Sequence, residues 1–199
     1  MWYWIFRPFV IFLSKLFFKL NVEGIENLPK KNNFIVVANH TSYLDPFILG
    51  AVIPKKIYWL AVRDLYKASP AVRWFFHVTG AMPDGKSSEN LIRLLTNNKI
   101  VGLFPEGIRT HDGKLNEFRR GAALLALRTG RPIVPCAILG AYEAFPRSAK
   151  FPKPRPIKIK IGKPQYLLKE FEDVVDDIRL QEGTFKIRSA IEGMMHARQ

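Results

Sequence analysis

The sequence predicts an α/β fold with a mostly parallel central sheet flanked by helices, and two observations predict it. Short apolar runs rich in β-branched residues, Phe34-Ile35-Val36-Val37-Ala38, Ile100-Val101-Gly102-Leu103-Phe104 and the run from Pro132 to Leu139, have the length and content of strands buried on both faces. Between them lie segments of helical spacing, such as Ser87 to Asn97 with Leu91, Leu94 and Leu95 on one side. A third observation concerns function: polar residues cluster directly after two of the apolar runs, and open α/β sheets bind ligands beyond the carboxyl ends of their strands.

At 199 residues the chain suits a single domain with a real core. Hydrophobic residues make up 48% and aromatics 13%, with fifteen Phe, which excludes a disordered chain and favours contact with lipid. Lys and Arg number 31 against 17 Asp and Glu, a net charge of +14 that calls for an acidic partner: anionic lipid, phosphorylated substrate, acidic carrier protein or nucleic acid. Nucleic acid fits least, because the aromatics fall in apolar runs and are not interleaved with the basic residues. Cys136 is the single cysteine, so no disulfide framework or cysteine zinc site exists within one chain, and its place in an apolar run marks it as a buried hydrophobe.

Residues 1–20, MWYWIFRPFVIFLSKLFFKL, carry Arg7, Lys15 and Lys19 and no acid. On a helix those cations and Ser14 fall on one side, while Trp2, Ile5, Phe6, Phe9, Phe12, Leu13, Leu16, Phe17 and Leu20 cover the other. A spanning helix would bury cations at ~2.5 kcal/mol or more each, and Lys15 and Lys19 interrupt the apolar core that a cleaved leader needs. The segment is therefore expected to lie in a membrane interface, peripheral or monotopic, with residues 21–199 forming one domain behind it.

Glu23 to Pro29 is expected to form a short strand and turn, followed by the Phe34 strand. Phe47 to Val52 reads as a short helix with Pro46 at its start, Ile57 to Val62 as a strand and Pro70 to Val78 as a helix. After the Ser87 helix and the Ile100 strand come a helix from Phe118 to Arg128, the Pro132 strand, and Ile157 to Ile161, whose Ile-Lys alternation requires one wet face. Phe171 to Arg198 is expected to be a polar amphipathic helix, or a pair interrupted near Gly183.

Two strand-end stretches carry the chemistry. Asn39-His40-Thr41-Ser42-Tyr43-Leu44-Asp45 follows the Phe34 strand and sets a carboxylate five residues beyond a histidine, a spacing at which the chain turns back and Asp45 reaches the ring nitrogen far from the reacting one. Chance alone produces a His-x4-Asp in roughly one chain in five of this composition, so the pair needs support. Pro105-Glu106-Gly107-Ile108-Arg109-Thr110 supplies it: a guanidinium offers a planar fork for phosphate, and a neighbouring glycine lets backbone amides approach the same anion. A base beside a phosphate site implies a phosphorylated substrate with a hydroxyl to be activated.

Together these stretches resemble the glycerolipid acyltransferase family over about Val22 to Pro164. NHTSYLDP matches its NH-x4-D block and FPEGIRT its FPEGTR block; Phe118-Arg119-Arg120-Gly121-Ala122 and Ile133-Val134-Pro135-Cys136 match two further landmarks in order. The resemblance implies that 21–199 is an acyltransferase domain and that a fatty acyl group passes from acyl-CoA or acyl carrier protein, as co-substrate, to the 2-hydroxyl of a lysophosphatidic acid. The product is phosphatidic acid, made at the cytoplasmic face of the cell membrane. His40 is then the general base oriented by Asp45, Gly107 and Arg109 hold the acceptor phosphate, and Asn39, Glu106, Thr110, Val134 and Pro135 contribute to the pocket. No metal, cofactor or acyl-enzyme is implied. Three positions depart from the family: Ile108 stands for its usual Thr, Ala61-Val62-Arg63-Asp64-Leu65 for its A-K-x-E-L, and Gly80 to Lys86 lacks the arginine of its G-x4-D-R block.

Within the same reaction type another lysolipid is an alternative acceptor, and two readings from other classes compete. Gly80-Ala81-Met82-Pro83-Asp84-Gly85-Lys86-Ser87 fits the G-x4-G-K-[ST] loop of nucleotide hydrolases, but Pro83 removes an amide donor, Phe75 to Thr79 makes a poor central strand, and no apolar strand ends in an Asp suited to magnesium. A non-catalytic coat on anionic lipid would leave His40 and Asp45 dispensable.

Overall fold

The computed structural model describes residues 2–61, 81–83, 87–168 and 175–197. The helix expected from Pro70 to Val78, the Ala61 to Leu65 departure apart from its first residue, and Gly80 and Asp84 to Lys86 of the Gly80 to Ser87 loop lie outside these described residues.

Seven strands form one sheet among the described residues: β1 (Asn21–Glu23), β2 (Ile35–Ala38), β3 (Ile57–Ala61), β4 (Met82–Pro83), β5 (Ile100–Leu103), β6 (Ile133–Leu139) and β7 (Lys158–Ile161), in the order β1-β7-β6-β2-β5-β3-β4. The five neighbours β6, β2, β5, β3 and β4 are parallel. β7 runs against β6, with Leu139 opposite Lys158, because the chain returns along the same edge without a crossover that would carry it back to the starting end. β1 then pairs parallel to β7.

Side chains of the central strands alternate between two cores. Val36, Ala38, Val134, Cys136 and Ile138 meet Ile48 and Leu49 of α2 (Asp45–Val52) on one face. Ile35, Val37, Ile133 and Ala137 meet Leu91 and Leu95 of α3 (Ser87–Thr96), Ala122, Ala123 and Ala126 of α4 (Gly121–Thr129), and Ile187 and Ile191 of α6 (Asp177–His196) on the other. A short α5 (Ala141–Ala144) follows β6. Every residue of β2 and β5 is buried, as a parallel strand covered on both faces requires. In β7 the isoleucines are buried and the lysines half-buried on the other face, so the alternation holds while that face is only partly wet.

Three details depart from the sequence reading. The first strand is Asn21–Glu23, starting two residues earlier than expected, and Ile25–Asn27 is a 3-10 turn entered through Gly24 at φ 78°. Gly183 does not interrupt the last helix: α6 is continuous, and a Cβ at Gly183 would stand 2.8 Å from Leu167 Cδ1 and 3.2 Å from Ala123 Cβ, so the glycine lets α6 close on α4. Ser14, placed with the cations by helical spacing, is buried in α1 (Trp2–Phe18), which packs on α2, while Trp4, Phe9, Phe12, Leu16 and Phe17 are each more than half exposed. No helix among the described residues is long and apolar enough to cross a membrane.

Candidate active site

β2 and β5 lie side by side with Val37 opposite Leu103, so the residues that follow them emerge together. Beyond that register the backbone ladder stops, since Pro105 has no amide to donate, and side chains take its place. The His40 amide donates to Glu106 Oε1 at 2.6 Å, the Asn116 amide to Glu106 Oε2 at 3.0 Å, and the Thr110 amide to the His40 carbonyl at 2.9 Å. On the opposite flank Asn39 is wholly buried and bridges to β6, giving its Nδ2 proton to the Ile138 carbonyl at 2.9 Å and accepting the Ile138 amide at 2.7 Å. The two loops are thus one braced unit.

Asp45 opens α2 and is fully buried. Its Oδ2 accepts from the Thr41 amide at 2.7 Å and the Ser42 amide at 2.8 Å, and lies 2.8 Å from His40 Nδ1. An oxygen already fixed by two backbone donors requires the proton on Nδ1, which leaves Nε2 as the acceptor. The His40 side chain is 19% exposed. Its ring stacks on Phe104 (centroids 4.1 Å, 17°), and Phe104 stacks in turn on Trp59 of β3 (5.0 Å, 10°). Gly102 makes room for this column: a Cβ there would lie 2.4 Å from the Trp59 ring.

The Arg109 guanidinium lies 3.3 Å over the Tyr43 ring, and its Nη1 is buried with no partner among the described residues. Such a group is a cation held in place by an aromatic face and lacking its anion. Gly107 has φ 75°, and the space a Cβ would take is filled by the Arg119 guanidinium, 2.6 Å away. Thr110 is buried, its hydroxyl donating to Asp112 Oδ1 at 2.9 Å. Burial raises the Glu106 carboxyl above its ordinary range, opposed by the two amides it accepts from.

The residues expected at the site therefore divide. His40, Asp45, Gly107 and Arg109 stand together at the strand ends. Asn39, Glu106 and Thr110 are close by, but their polar atoms are engaged in bracing the loops. Val134 and Pro135, expected to line the pocket, are buried inside β6 opposite Val36 and Val37, short of the strand end, because β6 is a central strand with its sides covered. Tyr43, Phe104, Trp59 and Arg119 join the site through contacts that motif spacing does not reveal. Phe104 and Tyr43 lie within the two motifs, whereas nothing local marks Trp59.

The acyltransferase family model matches residues 19–139. The chain is 30% identical over 161 residues to the chloroplast 1-acyl-sn-glycerol-3-phosphate acyltransferase of Arabidopsis thaliana, covering 72% of this chain and 45% of that protein. It is 29% identical over 141 residues to the 1-acyl-sn-glycerol-3-phosphate acyltransferase of Borreliella burgdorferi, covering 67% of this chain and 56% of that one. The chain thus spans about half the length of these curated relatives. Among solved structures, the 1-acyl-sn-glycerophosphate acyltransferase PlsC from Thermotoga maritima superimposes with a TM-score of 0.80 at 26% identity, over 99% of this chain and 81% of that one.

Proposed function

The chain belongs to the acyltransferase family, and on that premise we propose that it moves a fatty acyl group from a thioester, acyl-CoA or acyl carrier protein, to the 2-hydroxyl of 1-acylglycerol-3-phosphate. The products are phosphatidic acid and the free thiol. The observation that carries this reading is the pairing of a tautomer-fixed His40 with an Arg109 guanidinium whose buried Nη1 has no hydrogen-bond partner among the described residues, in one braced loop pair.

His40 Nε2 takes the proton of the 2-hydroxyl as its oxygen attacks the thioester carbonyl. The imidazolium is steadied by Asp45, and the proton passes to the departing sulfur as the tetrahedral intermediate collapses. Help of a hundred- to ten-thousand-fold, about what a general base supplies, suffices because thioesters are reactive and alignment contributes much of the rest. Arg109, held by Tyr43, grips the acceptor phosphate, with Arg119 packed against Gly107 beside it; the Gly107 amide itself donates to the Phe104 carbonyl at 3.0 Å and holds the turn. The aromatic face of α1 lies in the interface on the cytoplasmic side, so that the lysolipid acceptor reaches the site from the bilayer.

The test is mass spectrometry of lipid products from purified protein offered lysophosphatidic acid with each donor. Phosphatidic acid is expected, absent from a folded His40→Ala protein. Arg109→Lys keeps the charge but loses the fork, hydrogen bonds worth roughly 1.5 to 3 kcal/mol each, so the acceptor KM rises while the donor KM stays. Full activity of folded His40→Ala, or a shift confined to the donor KM, overturns the assignment.

A further inference from the structure

Between Glu143 and Glu170 the sequence holds eight Lys and Arg and no acid. Three of these cations are engaged: Arg147 with the His111 ring, Lys158 with Glu23 at 2.7 Å, and Lys160, which donates to the Met194 and Ala197 carbonyls where α6 ends. Lys150, Lys153 and Arg155 are exposed and enter no ion pair among the described residues. They flank Phe151, a large apolar side chain that is 79% exposed. Residues 151–156 are all exposed, and Pro152, Pro154 and Pro156 keep the segment extended and unable to fold into a helix.

The loop is tied at both ends to elements already described. At its start, the Phe145 carbonyl accepts the Ser42 hydroxyl at 2.8 Å, the Phe145 ring meets Tyr43 at 5.7 Å, and Arg147 Nη1 lies 3.2 Å from His111 Nε2. At its end, the Ile157 amide donates to the Phe18 carbonyl at 2.8 Å, next to the exposed Phe17 of α1. The loop therefore runs from the mouth of the candidate site to the end of the aromatic helix.

We propose that residues 145–156 form a second membrane-contact element, specific for anionic lipid: Phe151 enters the acyl boundary while Lys150, Lys153 and Arg155 remain among the headgroups. This rests on the reading of the chain as an enzyme of glycerolipid acceptors, and adds where and how it meets them. An apolar tip between cations matches a bilayer's apolar interior and charged surface together. An acidic protein would match the cations and leave Phe151 in water. Contact with lipid through both α1 and this loop also supplies the two signals that stable anchoring needs.

The experiment is sedimentation of the full chain with vesicles of phosphatidylcholine, with and without phosphatidylglycerol, in the absence of turnover, so that it stands apart from the identity of the reaction. The triple variant K150Q/K153Q/R155Q should lose at least tenfold of its partitioning to anionic vesicles, since each cation near such a surface is worth about a fivefold change, and little of its partitioning to neutral ones. Phe151→Ser should weaken binding to both, and Phe151→Trp should restore it. Thermal unfolding checks that each variant is folded. Native-like partitioning of the folded triple variant overturns the proposal, as does a loss of affinity confined to acyl carrier protein, which would make the loop a docking site for the donor.

Discussion

Asp45→Asn separates the charge of Asp45 from its geometry. In the native protein one oxygen, Oδ2, accepts from the Thr41 amide at 2.7 Å, the Ser42 amide at 2.8 Å and His40 Nδ1 at 2.8 Å. Two backbone N–H groups can be satisfied only by an oxygen, so the asparagine must turn its carbonyl to that place, and the same oxygen still accepts from Nδ1. The imidazole keeps its tautomer and orientation; the negative charge that steadies the imidazolium is what disappears. A hydrogen bond to a charged partner is worth roughly 1.5 to 3 kcal/mol, so the barrier should rise by about that much and kcat fall by about ten- to a hundredfold. Asp45 Oδ1 is buried without a partner among the described residues, so the asparagine NH2 placed there is an unsatisfied donor and should lower stability by about 1 to 3 kcal/mol. Asp45→Ala strips three donors at once and should be far worse in both respects. Steady-state kinetics of acyl transfer, run beside thermal unfolding of each variant, reads both effects. Native kcat in Asp45→Asn, or an Asp45→Asn enzyme as inactive as Asp45→Ala while equally well folded as the native chain, would refute the reasoning.

Phe104→Leu and Trp59→Leu remove the ring column against which His40 rests, an arrangement worth about 0.5 to 1.5 kcal/mol, and should each lower kcat about two- to tenfold with little change in the acceptor KM; a change confined to KM would place these rings in substrate binding instead. Glu106→Gln replaces one acceptor by a donor facing an amide, so the His40 loop should shift and kcat fall about tenfold or more, a loss that preserved kcat would contradict. Its stability should behave differently. Burial raises the Glu106 pKa above the usual 4.5, so the stability this carboxyl contributes is present below that value and lost as pH rises through the raised one. Unfolding measured across that window should show the native chain losing ground to Glu106→Gln with rising pH, and a flat difference would mean that burial does not govern Glu106. The Cys136 thiol is pushed up to about 12 by complete burial and should label with a thiol reagent only as the protein unfolds; labelling of the native protein at the rate of a free cysteine would disprove its burial.

The sequence by itself determined the parts whose signal is local. Continuous apolar runs marked β2, β5 and β6 as covered strands, Ile-Lys alternation marked β7 as half wet, and a histidine and carboxylate five residues apart marked a pair that a single turn of chain brings to 2.8 Å. Only the tertiary structure decided what each polar group near that pair bonds to. Asn39 reaches Ile138, 99 residues away, because β6 lies beside β2, and Glu106 spans to the His40 amide because β5 lies on the other side. Val134 and Pro135 belong to a motif, yet the same strand order buries them in the sheet. Trp59 joins the ring column only because β3 adjoins β5 across a glycine, and Gly183, a helix breaker by local rules, is where α6 closes on α4. Burial and periodicity are properties of neighbours along the chain, whereas hydrogen-bond partners and close approaches depend on which strands and helices become neighbours in space, and that is settled by the packing of the whole sheet.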